Sequence, residues 1–295
     1  MFLYKGDRSR IGDDLWHVKK RDLVPISFTN GALVCGRRRI RPSIILPVLH
    51  GGQGEGGALQ GMLDCLSLPF CGCPMTAAAL GMDKAYTKAI LAEAGIPVAK
   101  GICLCGGSAD VQALYSLAIS SLNFPLFIKP ARGGSSLGAS LVKCEKDLLP
   151  ALRYALLYDT RILAEEYIIG KECEVAVFEE KEALTVSVPG EIETGAVFYD
   201  YRTKYHSDRV KLHVPARIDE TAAAQMRLYA KQAFKVLGCR HLCRFDFFLK
   251  DDGTVLLNEV NTLPGLTAHS LFPALLEDAG IPMADFLDRL LEASL

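Results

Sequence analysis

The sequence has no run of apolar residues long enough to cross a bilayer. A transmembrane helix needs about 20 such residues, and every apolar run in this 295-residue chain is interrupted well before that length. The first residues, MFLYKGDRSRIGDDLW, also contain no apolar core of signal-peptide length behind a basic start. We therefore expect a cytoplasmic protein with no membrane partner.

An excess of either charge is also absent. The chain has 33 basic and 34 acidic residues, which gives a formal net charge of −1 at pH 7. A balanced chain has no overall field that attracts nucleic acid. We expect no nucleic-acid partner, and any phosphate that the protein binds must be held by a local site.

The ten cysteines lack the spacing of a disulfide-rich or zinc-binding domain. The pairs Cys71/Cys73 and Cys103/Cys105 are separated by one residue rather than two, and no histidine follows at ligand spacing. The remaining cysteines are scattered among apolar neighbours. This usage predicts mostly small, buried side chains in a reducing compartment.

Half of the residues are apolar, so the chain can bury sizeable cores in two or three packed units. Short apolar runs alternate with stretches of helical periodicity, which indicates an α/β fold. Residues 1–40 are predicted to be irregular. Ile44–Leu49 is predicted to form a strand. One helix is predicted to begin at a Thr76 cap and to end at Gly95. The predicted units are residues 1–78, 79–171 and 172–295.

The stretch FIKPARGGSSLGASLVK, residues 127–143, places a loop of Gly and Ser between two apolar runs, with Lys129 at the end of the first. Glycines let backbone N–H groups approach a phosphate closely, and serine hydroxyls add donors. The loop is not a Walker motif, because its Lys precedes the glycines and a strand follows them. It is predicted to close over nucleotide phosphates; the alternative is an ordinary flexible hairpin.

The stretch RFDFFLKDDGTVLLNEVN predicts a β-hairpin. A two-residue turn at Asp252-Gly253 places Asp246 opposite Glu259, with Asn261 on the same face. Like charges opposite each other are unfavourable unless a cation lies between them, and three hard oxygens suit Mg²⁺. The alternative is that the two carboxylates are solvated on an exposed face.

Arg244 lies on the same predicted face. A fixed guanidinium beside a metal can stabilise a developing oxyanion. The alternative is a simple salt bridge to Asp246 or Glu259.

The chain resembles the D-alanine–D-alanine ligases of the ATP-grasp superfamily over most of its length. The motifs that carry the resemblance are PVLHGGQGEGGALQGML, MDKAYTK, FPLFIKPARGGSSLG, EEYIIGKECEVAV, FYDYRTKYHSD and RFDFF…NEVNTLPGLTAHSL. The resemblance implies an α/β (α+β) fold in which an incomplete N-terminal parallel α/β domain precedes a two-part ATP-grasp unit. It also implies ATP and two Mg²⁺ or Mn²⁺ ions.

The resemblance assigns roles to individual residues of this sequence. The nucleotide would contact Lys84, Lys129, Ser135, Ser136, Glu165 on the adenine side, Glu172 at the ribose, and Lys204. The metal ions would be held by Asp246, Glu259 and Asn261.

The resemblance also implies catalytic and substrate residues. Arg244 and the backbone N–H of Gly265 would stabilise the oxyanion, and Ser135 and Tyr205 would order the loop over the site. The amino acids would be bound by Ser270, Leu271, His50 and Glu55. For His50 and Glu55, a strand-end histidine and a surface acid are the equally weighted alternatives.

The implied reaction joins two D-alanines through an acyl phosphate and supplies D-alanyl-D-alanine for peptidoglycan. The alternatives are an MgATP-binding remnant without turnover and a D-Ala–D-Ser or D-Ala–D-lactate ligase. The motif KYHSD with Tyr205 is similar to the D-alanine type. Members of the family are commonly dimeric through their N-terminal region, so a homodimer is possible.

The sequence departs from the family at its start. The family begins with a strand and a loop of the form G-G-x-S-x-E, which this chain does not contain, and Gly56 stands where the family usually has Asp. We therefore expect a chain that begins one βα unit late. Its N-terminal segment should be less stable than the ATP-binding portion.

Overall fold

A computed structural model describes residues 2–4, 23–29, 32–35, 37–49, 51–107, 110–134, 136–180, 183–193, 211–267 and 270–294. Four residues with predicted roles lie outside the described residues: His50, Ser135, Lys204 and Tyr205. Within the described ranges, every helix is too short or too polar to span a bilayer.

The N-terminal segment contains a four-stranded antiparallel sheet in the order β1-β2-β3-β4. The prediction of irregular structure over residues 1–40 is therefore wrong. Thr29 pairs with Ala32, and the two residues between them are Asn-Gly, a dipeptide that favours tight hairpins. The strands are β1 (Phe2–Tyr4), β2 (Leu23–Thr29), β3 (Ala32–Cys35) and β4 (Arg38–Ile40).

The predicted strand at Ile44–Leu49 is reduced to a single parallel bridge. Ile45 pairs with Phe70, and its backbone N–H donates to the Pro69 carbonyl oxygen at 2.8 Å while its own carbonyl accepts from Cys71 at 2.8 Å. An isolated bridge does not make a strand, although the segment is extended as its apolar run predicts. The short helices α1 (Gly52–Glu55) and α2 (Ala58–Cys65) lie between the two bridge partners.

The helix predicted across Thr76 to Gly95 is two helices, α3 (Met75–Met82) and α4 (Lys84–Glu93). Asp83 separates them, because its extended backbone cannot continue a helix and its carboxylate accepts the first backbone N–H groups of α4. The residue that caps α3 is Pro74 rather than Thr76. The break places Lys84 in the first turn of a new helix.

A second antiparallel sheet has the strand order β5-β8-β6-β7, and two helices pack against it around a core that includes Leu114, Ile128 and Leu152. The Gly- and Ser-rich loop joins its neighbouring strands β6 and β7. The elements are β5 (Gly101–Cys105), α5 (Val111–Ser121), β6 (Leu126–Pro130), β7 (Ser140–Val142), α6 (Glu145–Ala155) and β8 (Arg161–Glu166).

The third sheet is also antiparallel, with the order β12-β11-β9-β13-β14 and with β10 paired to β9. Its two faces are both covered: Val175 and Val177 belong to one core cluster, and the alternate residues Ala176 and Phe178 belong to another. The elements are β9 (Lys171–Glu180), β10 (Ala183–Val186), β11 (Gly190–Glu193), β12 (Lys211–His213), α7 (Glu220–Val236), β13 (Leu242–Leu249), β14 (Val255–Asn261), α8 (Leu271–Asp278) and α9 (Met283–Ala293).

The hairpin β13-β14 has the predicted pair Asp246 opposite Glu259, but a different turn. The Lys250 N–H donates to the Thr254 carbonyl at 3.0 Å, so the loop has three residues, 251–253, rather than two. That turn alone would place Asp246 opposite Asn258. A β-bulge at Asn258 shifts the register by one residue and restores the predicted pair.

The α/β class is confirmed. The first strand of the third sheet along the chain, β9, begins at Lys171, one residue before the predicted third unit. The boundaries at residues 78 and 171 remain a prediction. Residues 167–170 connect the second sheet to the third, and Gly170 is the last of them. A Cβ there would overlap the Leu249 carbonyl oxygen and lie 2.8 Å from its carbon.

We predict that Gly170→Ala destabilises the fold by about 1–3 kcal/mol, because backbone atoms of β13 must move to admit the methyl group. Gly134→Ala is the matched control, since nothing lies within 4 Å of the added Cβ. That control should change the free energy of unfolding by no more than about 0.5 kcal/mol. Urea unfolding of the three proteins measures both values; equal stabilities would contradict the prediction.

Candidate active site

A cleft of about 530 Å³ lies between the second and third sheets. Its lining comes from β6, the Gly- and Ser-rich loop, the end of β8, and the facing strands β9, β11, β13 and β14. Residues that are far apart in the sequence therefore meet in one cavity. Predicted site residues in the lining are Lys84, Lys129, Ser136, Glu165, Glu172, Asp246 and Glu259.

Three carboxylates form a row across neighbouring strands of the third sheet. Glu174 on β9 pairs with Asp246 on β13, which pairs with Glu259 on β14. Their side chains are 7%, 19% and 29% exposed. Water therefore screens their repulsion poorly, which excludes the alternative of fully solvated acids, and the row needs nearby positive charge.

Arg244 supplies part of that charge. Its Nε lies 2.8 Å from Asp246 Oδ1, its second terminal nitrogen lies 2.8 Å from Oδ2, and Nε lies 3.1 Å from Glu174. Burial alone would lower the pKa of Arg244, but Asp246 and Glu174 raise it, so the guanidinium stays charged. The salt bridge to Asp246 is thus present, as one alternative predicted.

Lys84 connects the acidic hairpin with the Gly- and Ser-rich loop. Its Nζ donates to the Gly133 carbonyl at 2.6 Å and lies 3.0 Å from Glu259. The side chain is only 9% exposed. The break at Asp83 makes this possible, because it puts Lys84 at the start of α4 facing the loop.

Ion pairs hold the start of the same loop. Asp159 accepts the Arg132 backbone N–H at 3.0 Å and its guanidinium at 2.6 and 3.1 Å. Arg161 pairs with Asp83 and stacks on a neighbouring aromatic ring. The loop is therefore fixed at its base.

Glu165 lies at the cleft wall between two lysines. One carboxylate oxygen lies 2.7 Å from Lys129 Nζ, and the other contacts Lys88 Nζ. Burial would raise the pKa of Glu165, but Lys129 and Lys88 together hold it below its ordinary value. The carboxylate is the counter-charge of two ammonium groups, of which that of Lys129 lines the cleft.

Lys88 and Glu174 were not among the predicted site residues. A signal for each exists in the sequence: Lys88 follows Lys84 by four residues on one helix face, and Glu174 alternates with Glu172 along a strand. Burial lowers the pKa of Lys88 to about 8 against the opposing effect of Glu165. Neither signal could be interpreted from the sequence, because it does not show which helix face and which strand face line the cleft.

Among the described residues with predicted roles, six lie outside the lining of the cleft: Glu55, Arg244, Asn261, Gly265, Ser270 and Leu271. Glu55 ends α1, and Gly265 lies in the loop after β14. Ser270 caps α8, with its hydroxyl 2.9 Å from that of Thr267, and Leu271 begins the helix with a buried side chain. A helix N-terminus of this kind can bind a carboxylate through backbone N–H groups.

The residues of the hairpin fit a divalent metal ion. Asp246 and Glu259 lie directly opposite each other, and the Asn261 amide lies on the same face with its nitrogen 3.0 Å from Asp246 Oδ2. Two carboxylates and an amide oxygen are hard ligands suited to Mg²⁺ or Mn²⁺. A cation here would relieve the repulsion that Arg244 and Lys84 already reduce.

Two antiparallel sheets that enclose a cleft, with a Gly-rich loop from one and an acidic hairpin from the other, define the ATP-grasp class of folds. Solved structures share this architecture. The D-Ala:D-Ser ligase VanG of Enterococcus faecalis matches with a TM-score of 0.89 at 33% identity, over 100% of this chain and 86% of that one. The D-alanine–D-alanine ligase of Coxiella burnetii matches with a TM-score of 0.81 at 33% identity, over 94% and 75%.

Sequence comparison defines the family. The family model "D-ala D-ala ligase C-terminus" matches residues 90–292. The D-alanine–D-alanine ligase of Chlorobium phaeovibrioides is 41% identical over 274 residues, which are 92% of this chain and 73% of that protein. That of Streptococcus agalactiae is 39% identical over 260 residues, 86% of this chain and 74% of the relative. The chain belongs to the D-alanine–D-alanine ligase family.

We predict that Glu165→Gln destabilises the protein by about 3–5 kcal/mol, because it leaves two buried ammonium groups without a counter-charge. Glu166→Gln is the matched control, since Glu166 is exposed and an amide oxygen can still accept the Lys100 N–H. It should change stability by no more than about 0.5 kcal/mol. Chemical denaturation tests this, and similar losses in both variants would refute a special role for the buried carboxylate.

The depressed pKa of Lys88 predicts a pH dependence of stability. In the unfolded chain its ordinary pKa is 10.5, whereas in the fold it is about 8. Between these values the unfolded state binds the additional proton, so stability rises with pH. The stability of the wild type relative to Lys88→Met should therefore increase from pH 8 to pH 10.5. A difference that stays constant over this range would show that Lys88 is not desolvated.

Proposed function

We propose that the protein joins two D-alanines at the expense of ATP, as the names of its relatives indicate for those proteins. The observation that carries this proposal is the meeting of three elements in one cleft: a Gly-rich loop, buried lysines and an acidic hairpin. Together they supply donors for phosphate and ligands for a metal ion. The identities of 39–41% to two ligases, over most of each chain, favour the same chemistry.

The cationic side of the cleft binds the nucleotide. Lys84 and Lys129 neutralise the phosphates, and the loop with Ser135 and Ser136 covers them. Glu172, in the cleft wall, binds the ribose. Glu165 contacts the nucleotide on its adenine side. Lys204 reaches the phosphoryl group that is transferred.

The acidic side of the cleft holds the metal ions. Asp246, Glu259 and Asn261 are the ligands for two Mg²⁺ or Mn²⁺ ions. Bound metal neutralises the phosphate oxygens and the charge that develops on the transferred phosphoryl group. Arg244 and Lys84 remain as fixed positive charges beside the ligands.

The reaction has two steps. A carboxylate oxygen of the first D-alanine takes the terminal phosphoryl group of ATP, which gives an acyl phosphate and ADP. The amine of the second D-alanine then attacks the carbonyl carbon, loses a proton, and phosphate leaves as the peptide bond forms. Arg244 and the Gly265 N–H stabilise the intermediate oxyanion.

The substrates occupy the end of the cleft near α8. The N-terminus of that helix, at Ser270 and Leu271, binds the carboxylate of the second D-alanine. His50 and Glu55 are further substrate-binding residues, and Ser135 with Tyr205 orders the covering loop. Enclosure by the loop keeps water from hydrolysing the acyl phosphate.

The test is D-alanine-dependent release of phosphate from MgATP, with D-alanyl-D-alanine measured as product. Glu259→Gln should reduce the rate by more than about tenfold. Mutation of a residue that only hydrogen-bonds to a metal ligand already reduces activity by about that factor. Asp251→Asn is the matched control: it makes the same exchange in the exposed turn of the same hairpin and should leave the rate unchanged.

Two results would contradict the proposal. ATP binding without D-alanine-dependent release would indicate a nucleotide-binding protein without turnover. Preferential formation of a mixed product with D-serine, measured in equimolar competition with D-alanine, would instead make it a D-Ala–D-Ser ligase like the Enterococcus faecalis protein.

A further inference from the structure

Three cysteines meet in the core beneath the third sheet. Cys73 precedes α3, Cys239 follows α7, and Cys243 lies on β13. Their sulfur atoms all lie within 4.8 Å of one another, and those of Cys73 and Cys243 are 3.2 Å apart. In the described residues this is the only group of three or more Cys, His, Asp or Glu side chains close enough to share a metal ion.

The cluster is separate from the cleft. Side chains alternate along a strand, so Cys243 projects to the face opposite Arg244 and the carboxylate row. All three cysteines belong to the apolar core cluster that contains Phe245 and Phe247. They are 1%, 4% and 0% exposed, in chain order.

The surrounding backbone holds the three thiols in a fixed arrangement. The Gly72 N–H donates to His241 Nδ1 at 2.9 Å, which ties the segment that carries Cys73 to the segment between the other two cysteines. His241 has a positive φ of 62°, which reverses the chain between Cys239 and Cys243. This C-x₃-C spacing lies within the range of structural metal sites.

The chemistry of the cluster suits a soft metal ion. Thiolates bind soft and borderline ions such as Cu⁺, Zn²⁺ and Cd²⁺ in preference to the hard ions expected at the acidic hairpin. Two sulfurs that each lie about 2.3 Å from one metal ion are about 3.8 Å apart in tetrahedral coordination. The sulfurs of Cys73 and Cys243, at 3.2 Å, are somewhat closer than this, and all three sulfurs lie within 4.8 Å of one another.

Hydrogen bonds to the backbone hold the Cys73 thiol beside its neighbours. The thiol donates to the carbonyl oxygens of Arg240 at 3.4 Å and Leu242 at 3.7 Å, and its sulfur lies 3.2 Å from that of Cys243. The three thiols are therefore grouped by the fold itself.

We propose that Cys73, Cys239 and Cys243 form a binding site for one soft, thiophilic metal ion, distinct from the metal site of the cleft. The ion forms bonds to the three sulfurs, and each thiol that becomes a thiolate releases its proton to solvent. The site joins the segment before α3 to α7 and β13. It therefore stabilises the junction between the N-terminal segment and the third sheet.

The test uses the full chain, kept reduced, unfolded in denaturant and refolded with Cd²⁺ because the site is enclosed. After unbound ion is removed, the retained Cd²⁺ and the thiolate-to-cadmium charge-transfer absorption are measured. We expect one ion per chain and a higher melting temperature with Zn²⁺ or Cd²⁺. Binding should weaken as pH falls, because protons compete for the thiolates.

Cys243→Ala and Cys239→Ala should each weaken Cd²⁺ binding by more than about tenfold, and they serve as independent tests if one of them fails to fold. Cys173→Ala is the matched control, since Cys173 is 1% exposed in the same core cluster but outside the trio. It should bind Cd²⁺ as the wild type does. No retained ion in the folded wild type, or equal binding by all variants, would show that the trio is only core packing.

Discussion

The arrangement of the cleft depends on the compensation of like charge in a poorly solvated place. Glu174, Asp246 and Glu259 lie side by side on three strands, and a sheet cannot hold such a row without cations. Arg244 and Lys84 provide two of them. Across the cleft the signs are reversed, because the single carboxylate of Glu165 lies between two buried lysines. A nucleotide with its metal ions carries both signs and so complements both walls.

Irregularities of the backbone make this compensation possible. The break at Asp83 turns one long helix into two, so that Lys84 begins a helix at the mouth of the loop. The bulge at Asn258 changes the register of the hairpin by one residue and puts Glu259 opposite Asp246. Both interruptions weaken a regular element locally, and both position a charged side chain of the cleft. Departures from regular geometry are common where a site must be assembled.

Much of the site could be predicted because its parts are local in the sequence. The loop around Lys129 and the acidic hairpin are each contained in one short stretch, and the Asp-Asp-Gly sequence indicates where the hairpin turns. Even there, two errors cancelled: the turn is one residue longer than predicted, and the bulge compensates. The N-terminal sheet was missed, although Asn30-Gly31 is a hairpin signal, because the surrounding basic residues hid the alternation.

By itself the sequence determined the α/β class, the family, the Gly- and Ser-rich loop between two strands, and the acidic hairpin. Only the tertiary structure decided the partners of Glu165, the place of Glu174 in the carboxylate row, and the meeting of Cys73 with Cys239 and Cys243. The physical reason is distance along the chain. Local turns and periodicity follow from neighbouring residues, whereas the partner of a buried charge or thiol is selected by the packing of elements that lie far apart along the chain.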